Sequence, residues 1–203
     1  MNSAVAPSVK HPIFVLKIHP IRRLRGSPSV TTAMAPLSVA LGLRATSSTT
    51  LIPNYAPALL SFHFIWAYGV LSSRTLKQWY GIDHNESPRY DLDKYGAQAV
   101  TSGKITQKQL NMLRRNESAH ANAVENYAFF VGAIGFASLA GVDRRLINRA
   151  GVMYTIARVA YGFVYILIED RLWSQLRGIT WWVGNGSCLY LLWQAGKKLN
   201  EGI

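Results

Sequence analysis

Four apolar runs, each about as long as a membrane-spanning helix, constrain the fold of this chain more than any other feature. They cover residues 54–73, 119–140, 146–168 and 178–195. About twenty helical residues, each rising about 1.5 Å, cross the roughly 30 Å of hydrocarbon in a bilayer. A helix satisfies its own backbone hydrogen bonds, which lipid cannot do. The runs therefore predict an all-α integral membrane protein, a four-helix bundle within residues 54–198.

The segments between the runs carry much of the positive charge of the chain, whose formal net charge is +12. The first of them, residues 74–118, contains eight Lys or Arg residues, more than any later loop. Positively charged loops stay on the cytosolic side of a membrane, so we expect this segment in the cytosol and both termini on the other side. Basic residues placed between apolar runs explain the net charge, and no nucleic-acid partner is expected.

Residues 1–53 form an N-terminal extension without Asp or Glu and rich in Ser, Thr, Ala and Pro. This composition is typical of a mitochondrial transit peptide. Prolines from Pro7 to Pro36 would interrupt any helix, which favours a disordered tail instead. A third interpretation places the true start at Met34, with residues 1–33 as an upstream extension. The sequence leaves all three interpretations open.

The second run opens with polar side chains that lipid cannot solvate, among them His120, Asn122 and Glu125. A charge at the bilayer centre costs about 2.5 to 3.5 kcal/mol on insertion scales. These groups therefore need partners inside the protein or a functional reason to be there. Asn122 and Glu125 are three residues apart, so they share one face of a helix.

The third run contributes a second polar face. Arg158, Tyr161 and Tyr165 follow one another at intervals of three and four residues, which places them on one side of a helix. In an antiparallel arrangement this face meets the polar start of the second run near the cytosolic surface. Arg74 ends the first run and Arg177 begins the fourth at the same level. Together these residues predict a pocket for a small zwitterion with several carboxylates, in which arginines supply the cations and a glutamate holds the amine.

Each of these side chains also has a purely structural interpretation. Glu125 and Arg158 could neutralise each other, because an unpaired buried charge is unfavourable. Arg74 could extend its charge to the membrane surface, and Tyr161 and Tyr165 could belong to an interfacial aromatic belt. A binding site is favoured because all of these residues share one depth and one face.

The sequence predicts no metal centre. Glu117 and His120 have the spacing of a carboxylate-bridged metal motif, but that chemistry needs a second copy of the motif and two further glutamates. The single Cys188 cannot form an intrachain disulfide.

With these features established, residues 54–195 resemble the MAPEG family, the membrane-associated proteins in eicosanoid and glutathione metabolism. The resemblance is carried by Ala-His-Ala-Asn-Ala-Val-Glu-Asn at 119–126 and by Ala-Arg-Val-Ala-Tyr-Gly-Phe-Val-Tyr at 157–165. The four-span layout with a long first loop also agrees. The resemblance implies a four-helix subunit that assembles as a homotrimer and binds glutathione between neighbouring subunits, near the cytosolic face.

The resemblance also implies roles for individual residues. Asn122 and Glu125 would contact glutathione, Glu125 through the γ-glutamyl amine. Arg158 would be an internal partner of Glu125. Arg177 would lower the pKa of the glutathione thiol, since a nearby cation stabilises the thiolate. The complete predicted set is Arg177 as the catalytic residue, with Arg74, His120, Asn122, Glu125, Arg158, Tyr161 and Tyr165 as glutathione-binding residues.

The function that the resemblance implies is a glutathione transferase or peroxidase acting on a lipophilic electrophile or lipid hydroperoxide that arrives from the bilayer. The expected compartment is the endoplasmic reticulum membrane, with a mitochondrial membrane as the alternative. The alternative function is a non-enzymatic lipid-binding or scaffold protein of the same fold. Ser118 favours this alternative, because many family members carry an arginine seven residues before the motif glutamate. The longer interval from Tyr165 to Arg177, and Trp181 where some members have tyrosine, separate the chain from prostaglandin-synthase-type members.

Overall fold

The computed structural model describes residues 36–44 and 51–201, and every regular element in them is helical, which confirms the all-α class. The three interpretations of the N-terminal extension concern residues 1–53, most of which lie outside the described residues; within the described part of the extension, residues 37–40 form a short helix. The α-helices are α1 (Leu37–Ala40), α2 (Ala56–Phe64), α3 (Ser73–Trp79), α4 (Asp91–Thr101), α5 (Gln107–Leu139), α6 (Arg144–Leu167) and α7 (Leu176–Asn200). A π-helical segment, Ile65–Val70, continues α2, and a 3-10 helix, Trp173–Gln175, leads into α7.

The first apolar run does not form one regular α-helix. After α2 the backbone widens, and the N–H of Leu71 donates to the carbonyl of Trp66, five residues earlier, at 2.9 Å. Such π-helical turns are rare in proteins and often occur at functional positions. The apolar composition that predicted a span here gave no signal for this change of helical period.

The second run forms part of α5, a single helix of 33 residues. Residues 105–115 by themselves predict a short helix with Thr106 near its N-cap. Thr106 does cap α5: its Oγ1 accepts the N–H of Gln109 at 3.2 Å, and Oε1 of Gln109 accepts the N–H of Thr106 at 2.7 Å. We expected a separate short helix over Ile105–Arg115. The structure instead continues without a break, because neither Gly nor Pro interrupts the sequence from the cap to Gly132.

The three long helices α5, α6 and α7 pack on one another, and α2 lies against α5 and α6. Their contact surface is a cluster of apolar and small side chains. It contains Ala56, Phe130, Ala133, Ile134, Ala137, Val142, Ile147, Ala150, Tyr154, Cys188, Leu191 and Ala195. Large apolar side chains also cover the outside of these helices, as Phe136, Ile156 and Trp182 do, each about 60% or more exposed. An apolar exterior around an apolar core is typical of a membrane protein.

One helix of the described residues, α6, is long and apolar enough to cross a membrane, with a mean hydropathy of 1.4 in its most apolar part. In the first run, α2 contains only nine residues before the π-helical segment. The spans predicted at 54–73, 119–140 and 178–195 therefore stay predictions.

Asn148, in the second turn of α6, connects α6 to α1 and to the segment that precedes α2. It is fully buried. Its Nδ2 donates to the carbonyls of Ala40 and Pro53, at 3.1 and 2.9 Å, and its Oδ1 accepts the N–H of Tyr55 at 3.0 Å. One amide therefore positions both α1 and the start of α2 on α6.

The polar segment between the first two runs has a small core of its own, formed by Ile82, Leu92, Ala99, Ile105, Leu110 and Leu113. Beside this core lies a buried lysine. Lys77 is 1% exposed, and its Nζ lies 2.9 Å from Oε1 of Glu117 and 3.8 Å from Oδ2 of Asp91. Nζ also donates to the carbonyl of Pro88. The ammonium of Lys77 therefore joins α3, α4 and α5.

Replacing Lys77 with Met tests this junction. The variant leaves the buried carboxylate of Asp91 and the carboxylate of Glu117 without their shared cation, so the free energy of unfolding should fall by about 3 kcal/mol. Thermal unfolding of the detergent-solubilised protein measures the effect. Lys94→Met removes an exposed lysine of the same segment and should unfold close to the wild-type temperature. Equal melting temperatures for the two variants would contradict the role given to Lys77.

Candidate functional site

Arg158 and Asn122 form the centre of the polar cluster. Arg158 lies in α6 and is only 3% exposed. Its Nη2 donates to Oδ1 of Asn122 at 2.8 Å and to the backbone carbonyl of Asn122 at 3.2 Å. Its Nη1 is buried and has no hydrogen-bond partner among the described residues. The guanidinium thus holds α6 to α5 and leaves one buried nitrogen without a partner among the described residues.

A ladder of rings and cations continues from Arg158 to Arg177. The guanidinium carbon of Arg158 lies 4.4 Å from the ring centroid of Tyr161, and the rings of Tyr161 and Tyr165 are 5.4 Å apart. The guanidinium carbon of Arg177 lies 4.7 Å from the ring centroid of Tyr165. The spacing on α6 and the position of Arg177 at the start of α7 therefore bring these four predicted site residues together.

The loop before α7 sets the position of Arg177. Asp170 accepts the N–H groups of Leu172 and Trp173 at 2.9 and 3.0 Å, which forms a tight turn. The Nε of Arg177 donates to the carbonyl of Ser174 at 3.1 Å. Arg177 forms no ion pair within the part of the chain that the structure describes. Its terminal nitrogens therefore remain available to an anion.

Glu125 does not pair with Arg158, and the predicted internal ion pair between them is wrong. Asn122 is the partner of Arg158 instead, because its side-chain Oδ1 and its backbone carbonyl both accept hydrogen bonds from the guanidinium. Glu125 instead lies on the exposed side of α5 and has no ion-pair partner among the described residues. The apolar half of this helix therefore presents an unpaired carboxylate to the outside of the chain.

Arg74 lies apart from this cluster. It forms a bidentate ion pair with Asp83, with Nη2 to Oδ2 at 2.6 Å and Nε to Oδ1 at 3.0 Å, and its Nη2 also donates to Asn85. These hydrogen bonds hold the pKa of the Asp83 carboxyl below its ordinary value of 3.8. The stabilising effect of the pair is therefore present at neutral pH and is lost only as the pH falls below about 4. Within one chain, Arg74 contacts loop residues and not the other predicted site residues.

His120 has a structural partner. Its Nδ1 lies 3.0 Å from the carbonyl of Ala67, in the π-helical segment. One turn earlier on α5, the Nδ2 of Asn116 donates to the carbonyl of Leu71 at 3.3 Å. These contacts satisfy carbonyls at the irregular end of the first run. Glu117 faces Lys77 instead, so Glu117 and His120 do not converge as metal ligands would.

Two residues outside the predicted set, Asn116 and Arg115, also support this region. Arg115 pairs with Glu169 at 2.8 Å, and its Nε donates to the carbonyl of Ile166 at 3.0 Å. It thereby ties α5 to the end of α6, close to the loop that positions Arg177. From the sequence alone, Arg114 or Arg115 could compensate for the arginine that many family members carry at the position of Ser118. The contacts of Arg115 with Ile166 and Glu169 could not be predicted, because these residues are more than fifty positions away.

Replacing His120 with Leu tests its structural role. The variant leaves the carbonyl of Ala67 without its partner, and an unsatisfied buried polar group costs about 1 to 3 kcal/mol. The melting temperature should fall accordingly. Ser118→Ala, at an exposed position on the same helix, serves as the control and should change it little. An unaltered melting temperature in His120→Leu would show that the contact with Ala67 does not stabilise the fold.

The comparisons agree with the motifs. The family model described as the MAPEG family matches residues 52–197, well over half of the chain. This match confirms the resemblance that the two motifs predicted. No curated protein and no solved structure matches the chain significantly.

Proposed function

Because the chain belongs to the MAPEG family, whose members include glutathione transferases and related proteins, we propose that it is a membrane-bound glutathione transferase or peroxidase. The observation that carries the proposal is the position of Arg177. The carbon of its guanidinium lies 4.7 Å from the ring centroid of Tyr165, and no carboxylate of the described residues forms an ion pair with it. A cation held in this way keeps its charge available to stabilise a thiolate, the nucleophilic form of glutathione.

The neighbouring groups fit the remaining chemistry of glutathione. Glu125, which lacks an ion-pair partner among the described residues, would accept the ammonium of the γ-glutamyl group. The unpartnered Nη1 of Arg158 and the hydroxyls of Tyr161 and Tyr165 would donate to carboxylate and carbonyl oxygens. A tripeptide with one amine, two carboxylates and a thiol supplies a partner for each of them. His120 stays within the proposed site as a residue that supports α5.

We further propose that the helices form a four-helix bundle that assembles as a homotrimer, with the site between subunits. The exposed face of α5 supports this arrangement, because small residues there allow another helix to approach closely. It presents the exposed Ala121, Glu125, Ala128 and Gly132 and the half-buried Gly135, and a Cβ added at either glycine meets no atom within 4 Å. Arg74, which contacts no other predicted site residue of its own chain, would reach the site from the neighbouring subunit.

The proposed reaction begins with glutathione bound as thiolate beside Arg177. In the transferase reaction its sulfur forms a bond to the electrophilic carbon of a lipophilic substrate, and the leaving group departs with the electron pair of the broken bond. In the peroxidase reaction two molecules of glutathione are oxidised to the disulfide while a lipid hydroperoxide is reduced to an alcohol and water.

The proposed location is the endoplasmic reticulum membrane, with residues 74–118 in the cytosol. The basic N-terminal segment favours a mitochondrial membrane as the alternative.

Arg177→Ala tests the proposed catalytic role. Losing a nearby cation raises a thiol pKa by about one to three units, so the rate with glutathione and a chloronitrobenzene at neutral pH should fall at least about ten-fold. The pH–rate profile should also move to higher pH. Arg177→Lys keeps a cation and should lose less rate. Arg171→Ala removes an exposed arginine of the same loop and should retain both the rate and the profile.

Two results would contradict the proposal. One is a wild-type protein that neither turns over the substrate nor binds glutathione in calorimetric titration. The other is an Arg177→Ala variant with wild-type rate and an unshifted pH profile.

A non-enzymatic lipid-binding or scaffold function of the same fold is the second candidate. It is favoured by Ser118, which is exposed where many members carry arginine, and by Arg115, which is engaged with Glu169 and does not replace that arginine. A scaffold would retain lipid binding in Arg177→Ala and would show no glutathione turnover in the wild type.

A further inference from the structure

The end of α6 opposite the candidate site carries a concentration of arginines. Arg144, Arg145 and Arg149 lie in its first two turns, and Arg44 follows α1 nearby. Asp143 is the acidic residue beside them, and it caps α6 by accepting the N–H of Arg145 at 2.7 Å. No carboxylate of the described residues forms an ion pair with any of these four arginines. The net positive charge at this end of the helix is therefore not compensated within the described chain.

Three of the arginines line a cavity. Arg44, Arg145 and Arg149 line about 420 Å³ together with Leu41, Gly42, Leu43, Asp143 and Leu146. The carboxylate of Asp143 accepts the N–H of Arg145, and the three arginines outnumber this one carboxylate in the lining. The Nε of Arg145 is buried there without a hydrogen-bond partner among the described residues. A cavity with several unpaired guanidinium groups fits a phosphate, which arginine binds through paired hydrogen bonds.

This cavity continues into an apolar cleft between α6 and α7. Leu146 and Arg149 belong to both, and the cleft encloses about 460 Å³. Its remaining lining residues are Ala150, Met153, Val183, Gly186, Ser187 and Tyr190. A Cβ added at Gly186 meets no atom within 4 Å, so the cleft is open along α7. The cleft therefore offers a largely apolar surface that begins beside the arginine-lined cavity.

We propose that the cavity and the cleft bind an anionic phospholipid, with the phosphate on Arg44, Arg145 and Arg149 and one acyl chain along the cleft. Charge complementarity selects this occupant. A second copy of this chain, with its net charge of +12, would add cations to the cluster, whereas an anionic lipid neutralises it. The first turns of a membrane-spanning helix also lie at the depth of lipid phosphates.

The lipid site is separate from the proposed glutathione site. Arg149 and Tyr165 are sixteen residues apart on α6, which corresponds to about 24 Å along the helix axis. The inference therefore does not depend on glutathione chemistry, and either proposal can fail while the other stands.

Native mass spectrometry of the full-length protein in detergent tests the inference. Phosphatidylglycerol, which is anionic, should bind more tightly than phosphatidylcholine with the same acyl chains. Arg149→Gln should weaken phosphatidylglycerol binding about five-fold, from about 1 kcal/mol per basic residue at a membrane surface. Arg171→Gln makes the same change of charge at the other end of α6 and should leave phosphatidylglycerol binding at the wild-type level. Gly186→Leu fills the cleft and should weaken the binding of both lipids several-fold.

Equal wild-type affinity for the two lipids would overturn the proposal without any variant. Equal phosphatidylglycerol binding by Arg149→Gln and Arg171→Gln, or undiminished binding by Gly186→Leu, would also overturn it. The same spectra give the mass of the oligomer. If Gly186→Leu changes the oligomeric state while lipid binding persists, the cleft belongs to a contact between subunits and the proposal is wrong.

Discussion

The hydrogen bonds between Arg158 and Asn122 hold the helices in the arrangement on which the site depends. Hydrogen bonds to the charged group offset part of the free-energy cost of burying a charge, and Asn122 supplies two acceptors from α5 to the Nη2 of Arg158. Gly184 of α7 leaves room for the same side chain, since a Cβ there would lie 3.2 Å from Cδ of Arg158. One arginine therefore connects α5, α6 and α7, and its guanidinium stacks on Tyr161 at the start of the ladder that ends at Arg177.

Some polar side chains of the long helices have hydrogen-bond partners inside the protein, whereas others have no ion-pair partner among the described residues. His120, Asn116 and Asn148 each bond to a backbone carbonyl of another element, which explains polar side chains in apolar helices without a ligand. Glu125, Arg177 and Arg149 have no ion-pair partner within the described residues. The first two lie in the proposed glutathione site and the third lies in the proposed lipid site. Both proposed binding sites therefore contain charged side chains that lack an ion-pair partner among the described residues.

Features set by local sequence patterns could be predicted, whereas contacts between residues distant in the sequence could not. The cap at Thr106 and the shared face of Arg158, Tyr161 and Tyr165 follow from helical spacing, and the structure agrees with both. The π-helical segment was not predicted, because the apolar composition of residues 54–73 carries no signal for a change of helical period. One of its carbonyls, that of Ala67, bonds to His120, more than fifty residues away. The exchange of Glu125 for Asn122 beside Arg158 has a similar origin. Asn122 and Glu125 lie on the same face of α5 in the sequence pattern. Only the packing of α5 on α6 determines that the side chain of Asn122, and not that of Glu125, contacts Arg158.

Glutathione binding to oligomers assembled from two different chains tests whether neighbouring subunits complete one glutathione site. Arg74→Ala and Glu125→Gln chains, co-expressed and purified together, contain some interfaces in which an intact Arg74 of one chain meets an intact Glu125 of the next. We expect each variant alone to bind glutathione weakly. In the mixed oligomers, we expect a fraction of the sites to bind glutathione at wild-type affinity. If mixed oligomers bind glutathione no better than the separate variants although both chains are present in one assembly, the site is not completed between subunits and the proposed assembly is wrong.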